Sequence, residues 1–146
     1  TEVNDLNTAR DELAGAPQGS PSAALAFGGN VSGAQTVTES FNGTNWTEVN
    51  DLNTGRYAFA GTGTYTAALA FGGVISTSPV TANNEEWDGV AWSEVANLST
   101  AKKQLGGAGS STAGLAFGGE TSAADVVATT EEWSGSTTVT KTVDAS

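Results

Sequence analysis

Large and small side chains alternate along a short stretch that recurs three times in the chain. The copies span Ala23–Gly29, Ala67–Gly73 and Ala113–Gly119. In the first copy Leu25 and Phe27 fall on one face and the alanines beside them fall on the other, which is the two-residue period of a strand. Two glycines close each copy and free the backbone for a sharp turn. The pattern therefore predicts a β-strand that ends in a turn, three times over.

Other residues recur in step with this stretch, 46 positions apart. The recurring slots hold a basic residue (Arg10, Arg56, Lys102), a large apolar residue (Leu13, Phe59, Leu105) and a glycine (Gly15, Gly61, Gly107). Changes in length fall beside the alternating stretch, as expected of loops. We interpret the chain as a single domain over 1–146 with repeats at about 8–53, 54–99 and 100–146, preceded by an extra outer strand at 1–7.

The pattern within each repeat predicts four strands. The first is rich in Ala, Gly and Thr, as in Tyr57–Gly63, and the second is the alternating stretch. The third ends at an aromatic residue, and the fourth opens with Trp46 or Trp92. The Asn-Gly and Asp-Gly pairs between the third and fourth strands are strong signals for tight hairpin turns. In the last repeat Thr137–Val143 still predicts a strand, although no tryptophan opens it.

The same landmarks occur in each repeat. A double glycine follows the second strand, an aromatic residue ends the third, and a basic residue precedes the next first strand. The aromatic landmarks of the third and fourth strands are Phe41, Trp46, Trp87, Trp92 and Trp133. In these features the chain resembles the kelch-repeat family, over nearly its whole length. The resemblance implies an all-β fold, a kelch-like β-propeller with three four-stranded blades per chain.

The composition resembles that of a narrower group within this family. Its richness in Gly, Ala and Thr is similar to that of kelch-like repeats in phage and marine viral proteins. This likeness implies a virion or extracellular setting, whereas the residues themselves predict no compartment.

Three blades are too few to close a ring, because propellers usually have about four to eight. An open arc would leave two apolar faces in water. A second copy would cover both, so we predict a homodimer with six blades about a twofold axis. The alternative is that the chain is the C-terminal part of a longer propeller. The last blade could be completed by Thr1–Leu6 of the partner or by Thr137–Val143, and the sequence does not decide between them.

Charge narrows the classes of partner. The 5 basic and 16 acidic residues give a formal net charge of −11, which repels a nucleic-acid backbone. No stretch is long and apolar enough to predict a membrane span, and no signal segment is expected. The expected partners are a second copy of the chain and a protein or glycan ligand, with no nucleic acid and no membrane.

Few residues are available for enzymatic chemistry. The chain has no histidine and no cysteine, so the sequence predicts no metal site, no cofactor and no catalytic residue. The pairs Glu85-Glu86 and Glu131-Glu132 are neighbours in a strand, so their side chains point to opposite faces and cannot act on one substrate. One glutamate of each pair is expected to meet the basic residue of an adjacent blade, Arg56 or Lys102, and the other is expected to be solvated. A hydrolase is therefore a weaker hypothesis than either a non-catalytic binding module or a lectin.

The loops after the double glycines differ between repeats, whereas the framework around them is repeated. Divergent loops on a rigid framework are where recognition usually takes place. The candidate binding residues are Asn30, Val31, Gln35, Val74, Ile75, Val80, Glu120 and Asp125. The leading hypothesis is a non-catalytic binding or structural module that assembles with itself and presents these loops. The alternative is a carbohydrate-binding lectin, which needs an exposed aromatic residue, whereas repetition of the aromatics in fixed slots favours packing.

Overall fold

The computed structural model describes residues 1–135 and the backbone of 138–139. The strands are β1 (Ala14–Gly15), β2 (Ala24–Phe27), β3 (Thr38–Phe41), β4 (Trp46–Val49), β5 (Arg56–Tyr57), β6 (Ala60–Thr64), β7 (Ala67–Phe71), β8 (Val74–Ile75), β9 (Asn84–Trp87), β10 (Trp92–Val95), β11 (Gly106–Gly109), β12 (Gly114–Phe117), β13 (Thr130–Trp133) and β14 (Thr138–Val139). The described residues form no helix, so the predicted all-β fold is confirmed. It follows that no helix in this part of the chain could cross a membrane.

Three four-stranded sheets follow one another along the chain. Their strand orders are β1-β2-β3-β4, β6-β7-β9-β10 and β11-β12-β13-β14, and a small fourth sheet joins β5 to β8. All neighbouring strands are antiparallel. The predicted hairpin turns between third and fourth strands are present, since Gly43 and Gly89 have φ of 94° and 97°. The four strands predicted for each repeat are thus the four strands of one sheet.

Neighbouring sheets pack through unlike faces. Between the first and second sheets the core contains Leu25, Phe27, Phe59, Ala68, Ala70 and Trp92. Between the second and third sheets it contains Leu69, Phe71, Leu98, Leu105, Ala116 and Trp133. In both cores the Leu and Phe of one second strand meet the small-residue face of the next sheet. The alternation seen in the sequence therefore gives each sheet a large face, turned to the next repeat, and a small face, turned to the previous one.

The first strands of successive sheets approach too closely for side chains between them. A Cβ atom on Gly61 would lie 2.5 Å from the carbonyl oxygen of Gly15, and a Cβ atom on Gly107 would lie 2.9 Å from that of Gly61. Non-bonded heavy atoms are at their best separation near about 3.5–4 Å, so an added methyl group would push the sheets apart. The recurring glycine slot is thus a packing position.

The predicted first strand Tyr57–Gly63 is interrupted, because Ala58 has a left-handed φ of 53°. β5 ends before it and β6 starts after it. Glu12 and Gln104 have the same conformation in the other repeats, with φ of 49° and 52°. This bend brings successive repeats together: the Ala58 amide donates to the Glu12 carbonyl at 3.1 Å, and the Gln104 amide donates to the Ala58 carbonyl at 2.7 Å. Ala, Glu and Gln give no turn signal, which is why the sequence did not predict the interruption.

The fourth strand of the third sheet is β14, which pairs with Glu132 and Trp133 of β13. This pairing assigns the edge to the C-terminal segment, a choice that the sequence left open. The remainder of the predicted strand Thr137–Val143 lies outside the described residues.

The extra outer strand predicted at 1–7 is not formed in this structure. The backbone and side-chain N–H groups of Asn7 donate to the Glu39 carboxylate at 2.8 and 2.9 Å. The side chain of Asn7 also donates to the Trp46 carbonyl at 2.9 Å. These bonds hold Asn7 against the first sheet. Pairing of this segment with the last sheet of a partner chain stays a prediction.

Candidate binding loops and grooves

The three variable loops stand at equivalent ends of the three sheets. Each loop leaves the second strand and pairs with the segment that precedes the first strand. The paired positions are Asp11 with Asn30, Tyr57 with Val74 and Lys103 with Glu120. Hydrogen bonds between repeats tie the three leading segments to one another. The loops therefore lie along one edge of the molecule, and in an antiparallel meander this edge is opposite the one with the hairpin turns between third and fourth strands.

The first loop is closed by its own polar groups. The Asn30 side-chain oxygen accepts a hydrogen bond from the Gly33 amide at 2.8 Å, and the Gln35 side-chain amide donates to the Gly33 carbonyl at 2.8 Å. Val31 is 44% exposed at the tip. Asn30 and Gln35 therefore hold the loop shape, whereas Val31 is open to contact.

The second loop is partly a strand. Val74 and Ile75 form β8, which pairs with β5, and both side chains are half-buried. Val80 is buried, at 8% exposure. The apolar residues of this loop thus pack partly onto their own repeat, and Val80 has no surface with which to meet a ligand.

The third loop is acidic. The Glu120 carboxylate forms an ion pair with Lys103 at 3.5 Å, and both side chains remain about a quarter exposed. Asp125 is exposed, and its carbonyl accepts a bond from the Thr121 amide at 3.1 Å. The three loops therefore share a position but differ in chemistry: polar, apolar and acidic.

Two grooves at equivalent places between neighbouring sheets were not predicted from the sequence. The groove between the first and second sheets has a volume of about 470 Å³ and is lined by Glu48, Val49, Asn50, Trp87, Gly89 and Val90. The groove between the second and third sheets has a volume of about 390 Å³ and is lined by Glu86, Val95, Ala96, Trp133 and Gly135. Each groove combines the fourth strand of one repeat with the third-strand aromatic of the next. The only feature of the sequence that points to these grooves is that the residues lining them occupy matching positions in successive repeats.

Neither groove has a tryptophan face on which a sugar could stack. Trp87 and Trp133 are 3% and 2% exposed. Their indole N–H groups donate to the carbonyls of Tyr65 at 3.1 Å and Ser111 at 2.8 Å, which fixes both rings. Burial, together with the nearby charge of Asp88, raises the pKa of Glu86 in the second groove. That groove is thus an acidic depression without a stacking surface.

One glutamate of each third strand forms a buried ion pair, and its partner is the basic residue of its own repeat and not, as predicted, that of an adjacent one. Arg10 pairs with Glu39, Arg56 with Glu85 at 2.8 Å, and Lys102 with Glu131 at 3.4 Å. All six side chains are at most 2% exposed. These carboxylates are therefore part of the framework and out of reach of a substrate.

Hydrogen bonds set the ionisation of the first of these glutamates. Burial opposes the charged form of Glu39, but bonds from Arg10 and from the backbone and side chain of Asn7, together with the positive charge of Arg10, hold its pKa below the ordinary value. Glu39 is therefore a carboxylate at neutral pH. In the part of the chain that the structure describes, no three Asp, Glu, His or Cys residues lie close enough to hold a metal ion.

The expected packing of the aromatic residues is confirmed for four of the five. Phe41, Trp87, Trp92 and Trp133 are all at most 5% exposed. Trp46 is half-buried and packs against Phe41 with tilted rings, whose centroids are 5.1 Å apart. Among the large aromatics of the third and fourth strands, Trp46 alone is open to a ligand.

Two apolar side chains on the third sheet are exposed although their counterparts are buried. Leu115 and Phe117 of β12 are 39% and 42% exposed, whereas Leu69 and Phe71 of β7 are 0% and 1% exposed. The sequence placed these residues in matching slots and gave no sign that their burial differs. The difference arises because, within the described residues, no further four-stranded sheet packs against this face of the third sheet.

The fold and these sites define an all-β protein of three repeated antiparallel sheets with variable loops along one edge. No protein-family model matches the chain, and no curated protein matches it. The resemblance to kelch repeats therefore stays a prediction.

Proposed function

We propose that the chain is a non-catalytic binding and structural module, a scaffold that presents variable loops and assembles with copies of itself. The observation that carries this proposal is the contrast between framework and loops. The buried ion pair and the glycine contact recur from sheet to sheet, whereas the loops at the shared edge are polar, apolar and acidic in turn. A repeated framework with divergent loops is the arrangement of a recognition surface.

The architecture that we propose is a kelch-like β-propeller with three blades per chain and six in a homodimer. Two features support it: each sheet is a four-stranded meander, and the first strands of successive sheets are in contact. The similarity in composition to kelch-like repeats of phage and marine viral proteins supports a virion or host-surface component as the setting.

The binding role can be tested by panning a random-peptide phage library and screening a glycan array against the immobilised protein. The loop variant replaces Val31, Ile75 and Asp125 by Ser. The matched control replaces the exposed Tyr65 and Val90, which lie in turns at the opposite edge, by Ser. We expect a bound peptide or glycan to be lost with the loop variant and kept with the control.

Two results would contradict this role. A bound probe that the loop variant keeps and the control loses would move recognition to the opposite edge. Hydrolysis of a nitrophenyl glycoside that disappears in Glu86→Gln and Glu132→Gln would show an enzyme.

A carbohydrate-binding lectin is the second candidate, and the half-buried Trp46 is the observation in its favour. Sugars stack on exposed aromatic rings. Polar groups lie next to this ring, since Asn45 precedes Trp46 and its side chain accepts a hydrogen bond from the Asn4 side chain. Titration with galactose, glucose and N-acetylglucosamine should then quench fluorescence in the wild type and leave Trp46→Phe unchanged. Absence of quenching by any of the three sugars counts against the lectin.

A further inference from the structure

Each sheet packs against its neighbours through two faces. At each end of the described chain, one face of the kind that is buried between sheets has no neighbouring sheet. We define the tail face as Leu115 and Phe117 on the third sheet. We define the head face as Leu13 and Trp46 of the first repeat together with Leu6, which precedes it. From the two internal junctions, we infer that the tail face of one copy binds the head face of a second copy and repeats those junctions. This inference rests on the proposed self-assembly and assigns its residues.

The junction between the first and second sheets shows what the tail face is built to meet. Phe27 is fully buried there, with ring-centroid distances of 5.8 Å to Phe59 and 4.8 Å to Trp92. Phe117 occupies the slot of Phe27 in the third repeat. It is 42% exposed, because within the described residues the chain supplies no next sheet.

The head face holds the slots that complete this contact. Leu13 occupies the slot of Phe59 and Trp46 the slot of Trp92. Phe59 and Trp92 are 7% and 5% exposed, whereas Leu13 and Trp46 are only half-buried. Leu6 follows the same rule, since it is half-buried while its counterparts Leu52 and Leu98 are 3% and 5% exposed. Leu52, Phe59 and Trp92 are thus buried at the junction of the first and second sheets, and Leu98 is buried at the next junction. Their counterparts Leu6, Leu13 and Trp46 are only half-buried.

The hydrogen-bonding groups of the two faces are also complementary. At the internal junction the Trp92 indole N–H donates to the Thr38 hydroxyl at 3.0 Å. The equivalent pair at the new junction is Trp46 of one copy with Thr130 of the other. Within the chain, the Ala58 amide donates to the Glu12 carbonyl and the Gln104 amide donates to the Ala58 carbonyl. At the new junction, the Glu12 amide would donate in the same way to the Gln104 carbonyl of the other copy.

The glycine slot also fits this arrangement. Gly61 and Gly107 lie against the backbone of the preceding first strand, while Gly15 is exposed. An added Cβ on Gly15 meets only the Leu25 carbonyl oxygen of its own chain, at 3.2 Å. At the new junction Gly15 would face the Gly107 carbonyl of the other copy, as Gly61 faces Gly15 within the chain.

Because each of the two junctions joins different surfaces, head and tail, the contact can be tested by complementation. The tail variant is Phe117→Asp and the head variant is Leu13→Asp. Val90→Asp is the matched control, since it places the same charge on an apolar residue that is 68% exposed and outside both faces. Circular dichroism and thermal melting establish that each variant is folded. Gly15→Val is a second head variant if Leu13→Asp does not fold.

Masses are measured by light scattering across a dilution series. We expect the wild type and the control to have the mass of two chains, and the head and tail variants each to have the mass of one. An equimolar mixture of the two variants should form a one-to-one pair, which keeps one intact junction. That pair should dissociate at a concentration at least about tenfold higher than the wild type, because one of two junctions is lost.

Contrary outcomes separate this inference from the proposed self-assembly. If the tail variant is monomeric while the head variant still pairs, the contact is tail to tail, and the inference fails although self-assembly holds. If both variants still pair, another surface joins the copies, with the same consequence. A wild type with the mass of one chain at every concentration overturns both. A mass above two chains, with complementation, supports the head-to-tail contact and overturns closure by two copies.

Discussion

At the scale of single residues, the three buried ion pairs occupy matching slots but differ in strength. The Arg56 guanidinium donates to the Gly72 carbonyl at 3.0 Å and to Glu85 at 2.8 Å. Lys102 reaches the Thr129 carbonyl at only 3.4 Å, and one oxygen of Glu131 has no hydrogen bond. A single ammonium cannot span the sites that a planar guanidinium reaches. The third repeat therefore has the weakest of the framework pairs.

We predict that Lys102→Arg stabilises the chain. A guanidinium in this slot would supply the missing bond to Glu131, and charge-assisted bonds of this kind contribute about 1–2 kcal/mol. The free energy of unfolding in urea measures the change. Arg56→Lys is the matched reverse substitution and should destabilise by a similar or larger amount. A loss of stability in Lys102→Arg would mean that the slot has no room for the larger group.

The pKa values of Glu39 and Glu86 are shifted in opposite directions, so the two residues should affect the pH dependence of stability in opposite ways. The pKa of Glu39 is lowered in the folded chain, so its contribution to stability is present above its ordinary pKa of about 4.3 and is lost as pH falls through the lowered value. The pKa of Glu86 is raised, so its contribution is present below the ordinary pKa and is lost as pH rises through the raised value.

At neutral pH we therefore expect Glu39→Gln to destabilise and Glu86→Gln to stabilise the chain. Glu39→Gln leaves Arg10 buried without its partner, a change that typically costs about 3–5 kcal/mol. Urea unfolding at several values between about pH 3 and about pH 7 measures both effects, and the two variants control for each other because the chemical change is the same. Equal effects of the two substitutions would contradict the assignment of the shifts.

At the scale of elements, β7 and β12 are nearly the same strand in different surroundings. Both have the Leu-Ala-Phe sequence, yet Phe71 is 1% and Phe117 is 42% exposed. Removing a buried phenylalanine side chain costs about 3–5 kcal/mol, because transfer and cavity terms add. A half-exposed ring contributes less. The neighbouring sheet therefore sets the energetic role of the residue.

We predict that Phe71→Ala destabilises the chain by about 3–5 kcal/mol and Phe117→Ala by about 1–2 kcal/mol. Chemical unfolding should be measured at a protein concentration where the chain has the mass of one copy. At higher concentration Phe117→Ala should also lose the stabilisation that assembly provides. Equal losses at low concentration would show that Phe117 is already covered within its own chain.

At the scale of the whole molecule, net charge opposes the proposed assembly. Each copy has a formal net charge of −11, so two copies repel, and salt screens that repulsion over about 10 Å at 0.1 M. The proposed junction is mainly apolar and is not weakened by screening. We predict that the dissociation concentration falls when NaCl is raised from about 0.05 M to about 0.5 M. Light scattering at both salt concentrations measures it. Weaker association at high salt would indicate a junction made by ion pairs.

Much of this architecture could be predicted because the residues that set it repeat locally. The alternation in the second strand, the Asn-Gly and Asp-Gly turns and the aromatic ends of the third strands each depend on neighbours only a few residues away. An ion pair between a third-strand glutamate and a basic residue was also predicted, but its partner was expected in an adjacent repeat and lies in the same one. The bends at Glu12, Ala58 and Gln104 were not predicted, because long-range bonds between repeats hold these residues in a conformation that their side chains do not favour.

The sequence by itself determined the order of the four main strands in each repeat and the spacing of the framework slots, since these follow from local periodicity and turn chemistry. Only the tertiary structure decided which copy of a slot is buried. Leu25 and Leu115, or Trp92 and Trp46, are the same residue in the same slot, yet one of each pair is buried and the other is open. Burial depends on the sheet that lies alongside, and a residue's own sequence neighbourhood contains no information about whether that sheet is there.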